Sequence, residues 1–344
     1  MISNIKRFFL IVISVVFVFI GCADLLVEPD TTKKPDDIFE FLWSEIDRYY
    51  PFFKDKNVDW DSVYIEYTPQ IDNTMSEEDL FLVLSDMVNT LRDGHVNIYT
   101  PYGTSAYTGW YDQYPRNFDF NVVMNRYLGI TRREVGGGNI IYGRLGSIGY
   151  IYLRTFAGEA GWVDSMDEVI EVLYDYDGVI VDVRHNGGGR SRNARSIAGR
   201  FADRERLYAY TQFRNGPQHT DFTELEGRKV VPDGDKQFLK PVVVLTNRST
   251  YSASEDFVLA MKEFPHVTHI GDTTGGGLGN PIFRELPNGW GFRVPVWRQF
   301  PVDMKPIEGI GISPDIQVDI TREDSLRLRD TIIQEAFNYL NSRE

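Results

Sequence analysis

Two apolar runs, GVIVDVR at Gly178 to Arg184 and PVVVLTN at Pro241 to Asn247, each lead into a helix-like pattern, Arg190 to Phe201 after the first and Ser252 to Phe264 after the second. Strands that alternate with helices in this way imply an α/β architecture. NIIYGRL and IGYIYLR before these runs, a helix near Trp162 to Tyr174, and HVTHIGD after them extend the same grammar. The α/β core is therefore expected over 139–320, with antiparallel strands around Phe283 to Val296. A C-terminal helix over 321–344 spaces Leu326, Ile333, Phe337 and Leu340 on one side. No internal repeat or low-complexity tract interrupts the pattern.

The front of the chain reads differently. Ile38, Leu42, Ile46 and Tyr49 keep helical spacing, and Ser76 with Asp79 gives a capping signal ahead of Leu80, Leu84, Met87 and Leu91. A small helical N-terminal domain is expected over 36–100. The aromatic-rich connection 101–138 carries no pattern that assigns an element. With 344 residues, 42% of them apolar and 14% aromatic, the chain can bury a substantial core.

At the N-terminus, Phe8 to Ile20 is an apolar run behind Lys6 and Arg7. About thirteen residues span only ~20 Å as a helix, too short for a bilayer core of roughly 30 Å, so 1–21 reads as a signal peptide. The chain's one cysteine, Cys22, follows in FIGC, which resembles a bacterial lipobox with Phe19 in place of the usual leucine. That resemblance implies lipidation at Cys22, a tether over 22–35 and a place in the bacterial cell envelope, anchored in the outer membrane and facing the periplasm or the cell surface. A single cysteine excludes intrachain disulfides and argues against cysteine-based metal sites. Without Lys6 and Arg7 the chain has 34 basic against 50 acidic residues, a net charge of −16. Such a surface repels nucleic acid and gains nothing from anionic lipid, leaving the lipid anchor as the membrane link.

Three signals bear on chemistry. Ser252 and Glu255 fit the S-x-x-E capping box, yet a serine between a buried strand and a helix start is also where a nucleophile can be placed, with outward amides and the helix dipole beside it. The stretch HNGGG at His185 to Gly189 is either a simple turn or a place where a substrate carbonyl approaches backbone amides. Of the five histidines, His95 in LRDGHVNI and His185 beside the glycines are the candidate bases, and spacing does not choose between them. His219 sits in a polar loop, and His266 and His269 bracket a strand.

Taken in order, LRDGHVNI, VIVDVRHNGGG, VLTNRSTYSASEDF, IGDTTGGG and EGIGISPDI resemble the serine peptidases of the C-terminal processing (tail-specific) family, in the branch with the tricorn protease core. The resemblance runs from about Asp36 to Asp319. It implies a ClpP/crotonase-like catalytic core, Ser252 as nucleophile, His95 as base, Glu308 as the carboxylate that orients the imidazole, and the Gly188 and Ala253 amides as the oxyanion hole. It implies a polypeptide substrate and neither a metal nor an organic cofactor. Two positions depart from the pattern. Gly277 stands where the Ser/Lys branch carries its lysine, and Gly94 stands where the tricorn-like branch carries a serine that relays to the glutamate. The Glu308 contact is therefore open, with Asp93 a second candidate orienter. Lys262, ten residues along the serine helix and thus about 15 Å up its axis, is no substitute base, and Lys305 is expected to be dispensable. Thr100 to Asn139 is too short for the PDZ module many relatives carry. A lightly perturbed histidine base predicts an acid limb around pH 6 to 7. Other readings are a lipoprotein that binds peptide or apolar ligands without hydrolysis, and an acyl-transfer or coenzyme A enzyme, for which no basic patch stands out.

Overall fold

The computed structural model describes residues 34–343; the signal segment, Cys22 and the tether before Lys34 lie outside them. Among the described residues no helix is long and apolar enough to cross a membrane.

The core is a seven-stranded sheet in the order Ile316–Gln317, Val267–Gly271, Val242–Thr246, Gly178–Asp182, Ile148–Leu153, Ile140–Leu145, Arg133–Val135. Neighbours are parallel across the first five strands and antiparallel across the last two pairs. Side chains alternate between faces, as strand geometry requires. Val179, Val181, Val242 and Val244 pack with Val169, Ile197 and Phe257 of the helices Ser165–Leu173, Ser191–Gly199 and Ala253–Lys262. Ile180, Val243 and Leu245 turn to the other face and pack with Ile332, Ile333 and Leu340 of the helix Thr331–Asn341. Covering both faces explains why these strands are apolar throughout. Because Gly178–Asp182 and Val242–Thr246 are parallel neighbours, with Asp182 opposite Leu245, HNGGG and the serine turn leave the sheet at the same edge.

The helical N-terminal unit does not close on itself at residue 100. Helices Pro35–Tyr49, Trp60–Tyr67 and Glu77–Asn89 share one core with a four-stranded antiparallel sheet, ordered Pro281–Glu285, Gly291–Pro295, Asn97–Thr100, Gly103–Thr104. Leu42, Ile46 and Met87 are buried there with Ile98, Phe292 and Val294. Three short helices leave an apolar face that this sheet helps to cover, and half of that sheet comes from residues far along the chain. The unassigned connection supplies Gly103–Thr104, a π-helix over Val122–Leu128 and the edge strand Arg133–Val135. A third sheet joins Trp297–Pro301, Arg206–Phe213 and Glu226–Val230 in antiparallel order. The C-terminal pattern splits in two: Leu326 ends a short helix from Arg322 and is 78% exposed, while Ile333 and Leu340 lie on the buried face of the separate final helix.

Arg184 locks the sheet edge that carries the site. Its guanidinium is fully buried, held by Asp182 at 2.6 Å and Asp330 at 2.9 Å, and donates to the Asn117 carbonyl at 3.1 Å. Asp330 also caps the final helix through the Ile333 amide at 3.0 Å. Removing the cation leaves two buried carboxylates without their partner, which costs about 3–5 kcal/mol. Arg184→Ala should lower chemical-denaturation stability by that order; a change below about 1 kcal/mol contradicts the assignment.

Candidate active site

Ser252 is held in a conformation that an L-residue rarely adopts, φ 59° and ψ −125°. Such backbone costs of order 1–3 kcal/mol and persists only where its surroundings impose it. Here the strand Val242–Thr246 ends in a tight turn, with the Thr250 amide donating to the Asn247 carbonyl at 2.8 Å and Thr250 Oγ1 donating to the Val183 carbonyl at 3.0 Å. The Tyr251 amide then donates to the Asn186 carbonyl at 3.1 Å, which docks the turn on HNGGG. Glu255 Oε2 accepts the Ser252 amide at 3.1 Å, so the S-x-x-E pattern does hold the helix start. The Glu255 amide in turn donates to the Ser252 carbonyl at 2.8 Å, which closes a capping box at the helix start.

That hydroxyl meets His95. Nε2 of His95 lies 3.1 Å from Ser252 Oγ, across 157 residues of sequence. The structure thereby separates the two candidate bases, because His185 instead accepts from Arg116 Nε at 3.4 Å and stacks on Phe118. His219 pairs with Asp47 and His269 with Thr246 Oγ1, while His266 stacks on Phe264. Asp93 shapes the DGH turn: Oδ1 accepts the His95 amide at 2.8 Å and Oδ2 accepts the Tyr50 hydroxyl at 2.9 Å.

Glu308 is brought into the same buried cluster but does not hydrogen-bond His95, whose Nδ1 has no hydrogen-bond partner. Its carboxylate pairs with Lys56 Nζ at 2.9 Å and accepts the Leu278 amide at 3.3 Å. Of the contacts left open for Glu308, the structure shows no direct hydrogen bond to His95; its carboxylate faces Lys56, which also donates to the Arg92 carbonyl at 2.9 Å. Nothing in the sequence around Lys56 signalled this. The Gly188 amide donates to Asn186 Oδ1 at 3.0 Å and is therefore engaged. Its α-carbon still packs against the serine turn: at φ 98° a Cβ would stand 2.8 Å from both Ser252 Cβ and the Ala253 nitrogen, so only glycine fits.

The two departures from the motif pattern share a cause. Tyr251 stacks on Trp110 with ring centroids 4.0 Å apart, and His95 packs on the same tyrosine at 4.7 Å. A Cβ at Gly277 would come within 2.1 Å of the Tyr251 ring, and one at Gly94 within 2.5 Å of Trp110 Nε1. This aromatic pair occupies the space that a lysine or a relay serine would need. Lys262 pairs with Asp315 at 2.8 Å, and Lys305 with Asp303 at 2.8 Å on the surface. His95, Ser252, Ala253, Gly188, Trp110 and Arg293 all line one cleft of ≈ 600 Å³. Among the described residues no cluster of three metal-ligating side chains occurs.

The sequence pattern of Peptidase family S41 matches residues 147–318, half of the chain, and that of the Tricorn protease C1 domain matches residues 31–89. The chain belongs to peptidase family S41. It is 40% identical to a putative peptidase from Parabacteroides merdae whose crystal structure superposes with a TM-score of 0.83, covering 90% of this chain and 97% of that one. It is 34% identical over 179 residues to a carboxyl-terminal-processing protease of Synechocystis, covering 50% of this chain and 38% of that protein. The chain spans about a third of the length of the curated relatives it matches, 34% for a chloroplast carboxyl-terminal-processing peptidase of Arabidopsis thaliana. The tricorn protease shares the fold at 15% identity and a TM-score of 0.55, over 90% of this chain and 37% of that one. The ClpP/crotonase-like α/β core with a helical N-terminal region is thus the architecture of this S41 chain.

Burial sets the electrostatics of this S41 site. It drives the His95 pKa down to about 4, with Arg293 and Lys56 adding to the effect and Asp93 opposing it. Burial likewise raises the Glu308 carboxyl, against the pull of Lys56. Burial works to lower Lys56, but Glu308 and Asp93 outweigh it, so the ammonium stays charged and is no base at neutrality. The expected limb at pH 6 to 7 therefore moves. An imidazole with its pKa depressed is neutral, and so competent as a base, at every pH well above 4. The same sign gives stability that is complete above the unfolded value near 6.5 and is lost as pH falls towards 4. In a pH profile on samples shown to be folded, kcat/KM should stay level from pH 7 down to about 5 and fall through about pH 4. A half-maximal point between pH 6 and 7 contradicts this electrostatic account.

Proposed function

We propose that this chain is a lipid-anchored serine endopeptidase of the bacterial cell envelope that hydrolyses polypeptides through a Ser252 acyl-enzyme. The observation that carries this reading is the 3.1 Å pairing of His95 Nε2 with Ser252 Oγ at a strained strand-to-helix turn. Ser252 Oγ attacks the peptide carbonyl carbon while His95 Nε2 takes its proton. Negative charge develops on the carbonyl oxygen beside the Ala253 amide, at the positive end of the helix Ala253–Lys262. As the carbon–nitrogen bond breaks, the imidazolium returns its proton to the leaving amine. Water, activated by the same histidine, then cleaves the acyl ester. Asp93 fixes the turn that presents His95.

Fluorophosphonate labelling tests the nucleophile. The probe should attach at Ser252 in the wild type, and both Ser252→Ala and His95→Ala should lower peptide turnover by roughly three to six orders of magnitude, with the double variant little worse than either. Thermal unfolding should remain cooperative in each. Full turnover in His95→Ala, or wild-type turnover without Ser252 labelling, refutes the mechanism.

The anchor rests on FIGC, which lies outside the described residues. Cys22→Ala should abolish metabolic labelling with a lipid precursor and release the protein from the membrane fraction; unchanged lipid labelling removes the assignment.

A further inference from the structure

The chain carries a formal net charge of −14, yet no Asp or Glu is among the described residues that line the cleft. Arg293 is the permanent cation on its wall. It sits on the strand Gly291–Pro295, paired with Asn97, two residues beyond His95. Antiparallel partners lie about 4.5–5.5 Å apart at Cα, so the arginine begins on the strand beside the candidate base. Its fork is fixed in place: Nε donates to Asn97 Oδ1 at 3.1 Å, Nη2 donates to the same oxygen, and the guanidinium lies over Tyr99 at 5.9 Å from the ring centroid. An amide oxygen and an aromatic face orient a guanidinium without neutralising it. Among the described residues no carboxylate forms an ion pair with Arg293, whereas the fully buried arginines, Arg184 and Arg200, each have one. With the Nε edge on Asn97, the Nη1 and Nη2 end of this oriented, unneutralised guanidinium keeps the donors that receive a carboxylate in bidentate fashion.

We propose that Arg293 is a specificity residue that binds a carboxylate of the polypeptide substrate, so that the cleft selects for an anionic group near the scissile bond. This rests on the reading above that the cleft takes polypeptides. Two sources supply the same chemistry, the substrate's own C-terminal carboxylate and an acidic side chain. Either one replaces water around the guanidinium with a charge-assisted pair, worth roughly a 10- to 100-fold gain in affinity.

The test uses the Ser252→Ala protein, so that binding is read without turnover, and two pairs of acetylated alanine–phenylalanine hexapeptides. One pair ends in a carboxylate or a carboxamide; the other is amidated and carries one internal glutamate or glutamine. Isothermal titration should show one carboxylate peptide binding roughly 10- to 100-fold tighter than its neutral twin, and the pair that shows it names the source. Adding Arg293→Gln should shrink the ratio to within about twofold, while Arg293→Lys, which keeps the charge but not the fork, should retain part of it. Should Arg293→Gln not fold, the ratio measured on Ser252→Ala should fall between 0.05 and 0.5 M salt, as a charge-based preference must. Equal binding within both pairs, a preference that survives Arg293→Gln, or one indifferent to salt overturns the proposal. Fluorophosphonate labelling of the wild type reads the peptidase assignment separately, so failure of one is not mistaken for failure of the other.

Discussion

The Glu255 carboxylate is the interaction on which the site depends. It is fully buried and accepts four hydrogen bonds, from the Ser252 amide at 3.1 Å, the Gly276 and Gly277 amides at 2.8 Å each, and Thr274 Oγ1 at 2.6 Å. Burial pushes its pKa up, and these donors pull against that push. Thr274 Oγ1 in turn accepts the Ile312 amide at 2.7 Å, so three segments close on one another: the serine turn, DTTGGG and the GIGIS loop. Left without the carboxylate, three backbone donors would be buried unpaired, each at a cost of about 1–3 kcal/mol. The strained backbone of Ser252 is therefore sustained from outside the turn. A residue pattern that reads as an ordinary helix cap is also the clamp that holds the serine turn beside His95.

The same clamp explains why no lysine base enters. With the Gly277 amide held by Glu255, its α-carbon is pinned against the Tyr251 ring, and Trp110 closes the other side of that ring over Gly94. Both glycines are required by packing, and the packing removes both alternative proton paths at once. What remains within hydrogen-bond reach of Ser252 Oγ is the imidazole.

How much of this was legible in the sequence follows from the range of each contact. The core strands, their alternation with helices and the positions of Ser252 and His95 could be read because each depends on local pattern or on a motif that stays contiguous. The N-terminal unit could not be bounded, because Val96 and Ile98 find their cover in Phe292 and Val294, nearly two hundred residues away. Trp110 stood in a stretch without periodicity, since its role is to stack on one ring and not to fill a repeating face. Lys56 had no local signal at all; it matters only because folding brings it to Glu308. The contact of the Gly188 amide with Asn186 Oδ1 had no signal either, because a run of three glycines does not reveal that the preceding asparagine side chain reaches the middle one.

Lys56 also changes which carboxylate serves the imidazole. Three acids with little solvent exposure, Asp93, Glu255 and Glu308, stand around the site, but a carboxylate favours the imidazolium only with the charge its own partners leave it. Glu255 is spent on backbone donors, and Glu308 faces an ammonium at 2.9 Å. Of the charged groups that act on His95, Lys56 and Arg293 lower its pKa and Asp93 raises it. Asp93 is held by the His95 amide and the Tyr50 hydroxyl, and it is the carboxylate that raises the His95 pKa. The charge that forms on His95 as Ser252 attacks is thus stabilised from within its own turn, by a residue two positions away in the chain.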